Sequence, residues 1–263
     1  MTERISTSEK YPGFPRLNHL KPEDFPKHIL IVMDGNRHWG QEHEGNKLSG
    51  HTEGAKTAIK LMRSAMPLPG EILTFWGFSA DNWKREQQEV NQLMNLISNT
   101  LTQNSEELLK NGIRFIHLGR KDRIPNNIAG NLSKLEDATK DNNGKILCAA
   151  IDFGGKDQEE RLIKKAVSEA YQITKEQPKI SKNEAIEIFN SDWINRSRDG
   201  KGLITPADLI IRPQHFRTSD IGWLNGPSTE LYLRRDLKFP DMKPSDLEDG
   251  ILQFTQDKQN FGA

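Results

Sequence analysis

The chain has 263 residues, enough for one large or two small domains. Lysine plus arginine number 37 and aspartate plus glutamate 37, so net charge is zero and composition makes no general case for nucleic acid as a partner. Its single cysteine, Cys148, excludes an internal disulfide, and no stretch approaches the roughly 18 apolar residues of a membrane span. Cys148 lies in an apolar run and is expected to be a buried structural thiol, in keeping with a reducing cytoplasm. Met1 to Asp24 is polar, with scattered prolines and no apolar centre of a secretion signal. A cytoplasmic protein is expected, with room left for transient contact with a membrane surface.

Residues 1–26 read as a flexible tail and 27–263 as one domain. The apolar run Ile29 to Met33 predicts a buried strand over 28–33, closed by the turn Asp34-Gly35. His51 to Met66 predicts a helix, Ile72 to Phe78 a second strand, and Gln87 to Asn111 a long helix with Val90, Leu93, Met94, Ile97, Leu101 and Leu108 on its apolar side. A third strand is expected at Ile113 to Leu118, a helix at 126–142 and a fourth strand at 145–151. Helices follow at 157–175 and 183–190, strands at 208–211 and 231–233, and a last helix at about 245–258. Strands alternating with helices imply an α/β fold, a mostly parallel six-stranded central sheet flanked by helices.

The strand exits carry the chemistry. In a parallel sheet they lie on one edge, where ligands bind. Asp34-Gly35-Asn36-Arg37 places a carboxylate, a glycine, an amide and a cation after a strand, a set suited to phosphate oxygens and a metal; the plainer reading is a turn that caps the next helix. Gly50-His51-Thr52-Glu53-Gly54 reads as a helix opening whose N–H groups could hold an anion that Lys47 also reaches, with His51 otherwise a cap or surface residue. Ser79 to Arg85 offers Asn82 and Arg85 beside Trp83; alternatively Ser79 or Asp81 caps a helix, Trp83 is core, and Arg85 pairs with Glu89. Arg212, Arg217 and Ser219 make a reasonable diphosphate clamp because a guanidinium fork matches phosphate oxygens, although two loop arginines can simply be solvated. Glu230 could approach a shared metal. There is no P-loop, no dinucleotide fingerprint and no zinc-binding pattern.

In this order the blocks resemble the cis-prenyltransferase family, the undecaprenyl diphosphate synthase-like enzymes, over about residues 28–262. The family's D-G-N-x-R-W-A reads Asp34-Gly35-Asn36-Arg37-His38-Trp39-Gly40, and its G-H-x-x-G is intact at Gly50 to Gly54. Its F-S-x-E-N-W-x-R is Phe78 to Arg85 with Asp81 for the glutamate, and its N-Y-G-G-R is Asp152-Phe153-Gly154-Gly155-Lys156. Arg212, Arg217, Ser219 and Glu230 match its closing cluster.

The resemblance implies the cis-prenyltransferase fold, with 27–263 as a catalytic domain, and a homodimer that joins allylic and homoallylic prenyl diphosphates using Mg²⁺. It implies that Asp34 and Glu230 hold the metal, that Gly35, Asn36, Arg37, His38 and Lys47 serve the allylic diphosphate, and that Trp39 binds substrate. His51 would stabilise or protonate the leaving group. Asn82 and Arg85 would serve the condensation, Ser79 and Trp83 would bind substrate, and Arg212, Arg217 and Ser219 would bind the second diphosphate. Phe75, Trp76, Leu93, Leu96 and Ile97 could line a tunnel for the prenyl chain.

Three departures stand out. His38 replaces the usual arginine, which makes allylic binding weaker or pH-dependent. The usual R-x-G-G-E-x-R reads Arg212-Pro213-Gln214-His215-Phe216-Arg217, one residue shorter and without either glycine or the glutamate. The C-terminal R-x-G reads Asn260-Phe261-Gly262. Regular elongation with isopentenyl diphosphate is expected. The alternatives are head-to-middle coupling of two dimethylallyl diphosphates, as in lavandulyl-type synthases, and a non-catalytic subunit.

Overall fold

The structure, a computed structural model, describes residues 10–258. Its strands are β1 (His28–Val32), β2 (Ile72–Ser79), β3 (Arg114–Leu118), β4 (Ile146–Phe153), β5 (Ala207–Pro213) and β6 (Asn225–Arg234). The sheet order is β3-β4-β2-β1-β5-β6. Every pairing is parallel, including the edge strand β6, so the sheet is wholly rather than mostly parallel. All five residues of β1 are buried, as a strand covered on both faces requires.

The helices are α1 (Asn36–Glu44), α2 (Lys47–Ala65), α3 (Gln87–Gln103), α4 (Ser105–Lys110), α5 (Asn126–Thr139), α6 (Gly155–Glu176), α7 (Lys182–Glu187), α8 (Ser191–Ser197) and α9 (Pro244–Lys258). Alternate strand residues feed two cores. Ile29, Ile31, Phe75 and Ile211 pack against α2, α3 and α9, whereas Leu30, Val32, Trp76 and Ile210 face Ile204, Ile221 and Leu224 on the other side.

Four expectations change. The segment 11–25 belongs to the core rather than to a flexible tail: Phe14 and Leu17 are fully buried, with Tyr11, Leu20 and Phe25 beside them. Each such side chain contributes roughly 2 kcal/mol, enough to offset the ordering of a short irregular segment. The long helix expected to Asn111 breaks at Asn104, whose side chain donates to Thr100 O at 2.7 Å. A helix at 36–44 replaces the expected loop. It carries little apolar signal because it is held by close approach to α2: an added Cβ on Gly50 would lie 1.8 Å from Asn36 O. α2 itself begins at Lys47, capped by Asn46, whose side chain accepts from Leu48 N at 3.0 Å. Gly50 and His51 therefore lie inside the helix, not at its opening, and Gly50 and Gly54 serve the packing of α1 on α2.

Candidate active site

β1 leads to β2 on one side of the sheet, while β5 and β6 lie on the other. The gap beyond β1 and β5 is thus the topological switch point, where open α/β sheets bind ligands. Asp34 and Arg212 flank it. A cavity of about 540 Å³ opens there, lined among others by Asp34, Gly35, Asn36, Arg37, His38, Lys47, His51, Ser79, Asn82, Arg85, Arg212, Arg217 and Ser219. Thirteen of the sixteen candidate residues are thereby brought together.

Arg212, 4% exposed, organises the cavity floor. Its Nη2 and Nε donate to Asp34 Oδ2 at 2.6 and 3.2 Å, and its Nη1 donates to Ser219 Oγ at 2.7 Å and to Arg217 O at 2.6 Å. His215 Nδ1 adds a contact to Asp34 Oδ2 at 2.8 Å, and Gly35 N donates to Oδ1 at 2.9 Å. Burial raises the Asp34 carboxyl, but these partners outweigh it and hold the group below the usual range.

The opposite wall is short of negative charge. Arg37 and Arg85 share one carboxylate, Glu89, each at 3.2 Å. His51 Nε2 lies 3.9 Å from the same carboxylate and is buried with no hydrogen-bond partner. Burial, reinforced by Arg85 and Arg37, pushes His51 down to about 4, so it is neutral at physiological pH. The first turn of α1 begins at Asn36 on this rim, and its backbone N–H groups have no intrahelical partner. Asn82 Oδ1 accepts from Ser79 N at 3.0 Å, which fixes the loop after β2.

An apolar cleft of about 110 Å³ shares Met33, Asn36, His51 and Gly77 with the cavity. It runs between β2 and helices α2 and α3, lined by Phe75, Leu93, Leu96 and Ile97. Trp76, expected in this lining, faces the polar cavity and the other core because strand neighbours alternate.

Three candidates lie elsewhere. Trp39 stacks on His43 and donates Nε1 to Asp241 at 2.6 Å, outside the cavity. Trp83 packs edge-on against Phe78 at 5.1 Å, in keeping with the plainer reading of it as core. Glu230 pairs in register with Leu209, and Leu209 with Ile29. That register sets Glu230 five residues back from Asp34, roughly 16 Å along the strand direction. Within one chain it does not meet Asp34 at a metal. Among the described residues no cluster of three metal-ligating side chains exists. The replaced C-terminal motif at 260–262 lies outside the described residues.

Sequence reasoning missed His215 and Gln214, which line the approach to Asp34 and His38. Their only signal was the shortened loop in which they sit. Glu89 was visible as a partner of Arg85 but not as the carboxylate shared with Arg37.

A wholly parallel sheet with a cationic cavity at its switch point, continuous with an apolar cleft, defines a protein built for an anionic head joined to an apolar chain. A family model described as putative undecaprenyl diphosphate synthase matches residues 32–262. The chain is 32% identical over 245 residues to an isoprenyl transferase of Clostridium perfringens, covering 93% of this chain and 92% of that one. It is 31% identical to an isoprenyl transferase of Aquifex pyrophilus, covering 90% and 96%. Among solved structures, lavandulyl diphosphate synthase from Lavandula x intermedia in complex with dimethylallyl diphosphate superimposes with a TM-score of 0.77 at 24% identity, covering 89% of this chain and 96% of that one. A probable undecaprenyl diphosphate synthase from Campylobacter jejuni gives 0.66 at 24% identity, covering 87% and 94%. These two likenesses concern the fold. The chain belongs to the undecaprenyl diphosphate synthase family and is an isoprenyl transferase.

Proposed function

We propose that this chain condenses an allylic prenyl diphosphate with isopentenyl diphosphate in cis, releasing pyrophosphate, with Mg²⁺ as its metal. The observation that carries this reading is the continuity of the cationic cavity with the apolar cleft across Met33, Asn36, His51 and Gly77. A diphosphate in the cavity would direct its prenyl chain into the cleft. The allylic C–O bond breaks, a C–C bond forms to the terminal carbon of isopentenyl diphosphate, and a proton is lost from its C2.

Asp34 suits Mg²⁺, which takes hard oxygen ligands and is commonly held by one or two carboxylates, with substrate phosphates and water completing its shell. When bound, the metal would neutralise charge on the departing diphosphate. Gly35, Asn36, Arg37, His38 and Lys47 would hold the allylic diphosphate, helped by the first N–H groups of α1. His51, neutral in its pocket, would donate a hydrogen bond to the departing oxygen rather than act as an imidazolium acid. Ser79, Asn82 and Arg85 would orient the condensing partner. Arg212, Arg217 and Ser219 would hold its diphosphate, Arg212 being already aligned by its contacts to Asp34 and Ser219.

A homodimer and a cytoplasmic location complete the proposal. No helix among the described residues is long and apolar enough to cross a membrane. On α6, Ile163, Val167 and Tyr171 stand 64%, 66% and 61% exposed at four-residue spacing. They form one apolar stripe of the kind that marks a protein interface. Val167→Glu should shift the sedimentation of the chain to that of a monomer; an unchanged oligomeric state would remove this face from the interface.

The reaction is tested by product analysis of the full chain with Mg²⁺. Isopentenyl diphosphate is paired with C5, C10 or C15 allylic diphosphates, and one reaction receives dimethylallyl diphosphate alone. Elongated cis product only in the paired reactions is expected. Branched C10 product from dimethylallyl diphosphate alone would replace elongation with head-to-middle coupling.

A further inference from the structure

Gln214 is held in a conformation that its own side chain disfavours. Its φ is +70, in the left-handed region, and His215 N donates back to Pro213 O at 2.9 Å across it, closing a γ-turn. Its backbone N donates to Arg234 O at 2.7 Å, which anchors the turn to β6. Its Oε1 is buried without a hydrogen-bond partner, against Gly35, where an added Cβ would come within 2.8 Å. A strained backbone and an unpaired buried oxygen at one residue are two costs in one place, and such costs collect where function requires them.

The opposite end of the same amide explains what is gained. Gln214 Nε2 donates to Nδ1 of His38, the third residue of α1. His38 carries no other hydrogen bond among the described contacts. With Nδ1 accepting, the ring proton sits on Nε2, which becomes a neutral donor on the cavity rim. Gln214 is the one contact that joins the side chain of His38 to the loop after β5, and the γ-turn at Gln214 also delivers His215 to Asp34.

We propose that Gln214 is a positioning residue for the allylic diphosphate: it fixes the tautomer and direction of His38 so that Nε2–H meets a phosphate oxygen. This rests on the proposed placement of the allylic diphosphate at Arg37 and His38. An exposed histidine free to rotate would present either nitrogen; one clamped by an amide presents a donor at a set position. The chemistry selected is a diphosphate monoester, recognised by a neutral hydrogen bond at this point.

The test is a double-mutant cycle on the full chain, read as calorimetric affinity for geranyl diphosphate with Mg²⁺, as KM against kcat, and as thermal midpoint. Gln214→Gly removes the amide and accepts φ +70 without strain, so the thermal midpoint should hold or rise. Affinity should nevertheless fall about five-fold, the size of one neutral hydrogen bond, with KM rising and kcat little changed. His38→Ala should fall by at least as much. In a His38→Arg background, where the guanidinium needs no tautomer set, Gln214→Gly should change affinity less than about two-fold. If Gln214→Gly leaves affinity unchanged while His38→Ala weakens it, the positioning role is wrong and the site assignment stands. If His38→Ala also leaves affinity unchanged, the placement of His38 itself is wrong. An equal loss from Gln214→Gly in both backgrounds would mean that Gln214 acts without His38 and would overturn the inference.

Discussion

Two clusters of arginine and carboxylate occupy the same edge of the sheet and are built on opposite rules. Beyond β3 and β4 the charges close on one another. Arg123 clasps the fully buried Asp152 at 2.8 and 2.5 Å, and Arg161 bridges Asp157 at 2.9 Å and Asp199 at 2.8 Å. At the switch point only Arg212 closes on a carboxylate of its own, Asp34. Arg37 and Arg85 share a single glutamate, and Lys47 and Arg217 have no carboxylate partner among the described residues. A cluster whose cations are satisfied is structure. A cluster whose cations outnumber their partners is waiting for an anion. The sequence spacing of arginines does not separate the two cases; the pairing does.

The largest loss of activity is expected at Asp34. Asp34→Asn should lower kcat by a factor on the order of 10³, because a charge that acts as the reaction proceeds is lost. Asparagine is preferred to alanine, since its amide oxygen can still accept from the buried Arg212 guanidinium, whereas truncation would leave those donors without a partner. Turnover within ten-fold of the wild type would remove Asp34 from the chemistry. Arg123→Ala should behave in the opposite way. It leaves a buried carboxylate unpaired in a residue at φ +55, so unfolding free energy should fall by about 3–5 kcal/mol, read by urea titration, with KM little changed in the surviving enzyme. A large rise in KM would move the β3–β4 cluster into the site.

Acid should act through three buried histidines, His28, His51 and His117, each lowered chiefly by burial. Burial pushes His28 and His51 down to about 4 from the usual 6.5, so the unfolded chain binds more protons between those values. Their contribution is fully present above about pH 6.5 and is lost as pH falls towards 4, up to roughly 3 kcal/mol for each. His28→Gln should flatten the decline in thermal midpoint between about pH 7 and 4.5; an unchanged slope would assign the decline to other groups. A smaller effect is expected at Arg217→Ala. KM for isopentenyl diphosphate should rise about ten-fold from loss of a charged contact, while the thermal midpoint stays within about 2 °C. A fall in stability without a change in KM would make Arg217 part of the scaffold.

The strands and their exits were legible because buried parallel strands are apolar runs with few other readings. β1 differed by one residue at its end, and Asp34, Arg212 and Ser219 fell into one cavity. α1 was not legible: its apolar signal is a lone tryptophan, and it forms because Gly50 and Gly54 let it lie against α2. The same fact changes the meaning of the glycines, which were expected to open a helix for an anion. The place of Glu230 was not legible because chain order says nothing about register; the edge strand sets it level with Leu209, away from Asp34 of the same chain. His215 and Gln214 were hidden by the shortened loop, where geometry depends on one left-handed residue.

The Asp34–Arg212 bond joins residues 178 positions apart. β1 stands in the middle of the sheet, yet its neighbour β5 is among the last strands in the chain. During synthesis the helices α1 and α2, adjacent in sequence, can pack early, while one flank of β1 stays open until nearly the whole polypeptide exists. The half of the site that carries Asp34 is therefore made first and the half that carries Arg212 last. Truncations that end before residue 212 should retain the early helices and carry no binding site, and an exposed central strand makes such fragments prone to association.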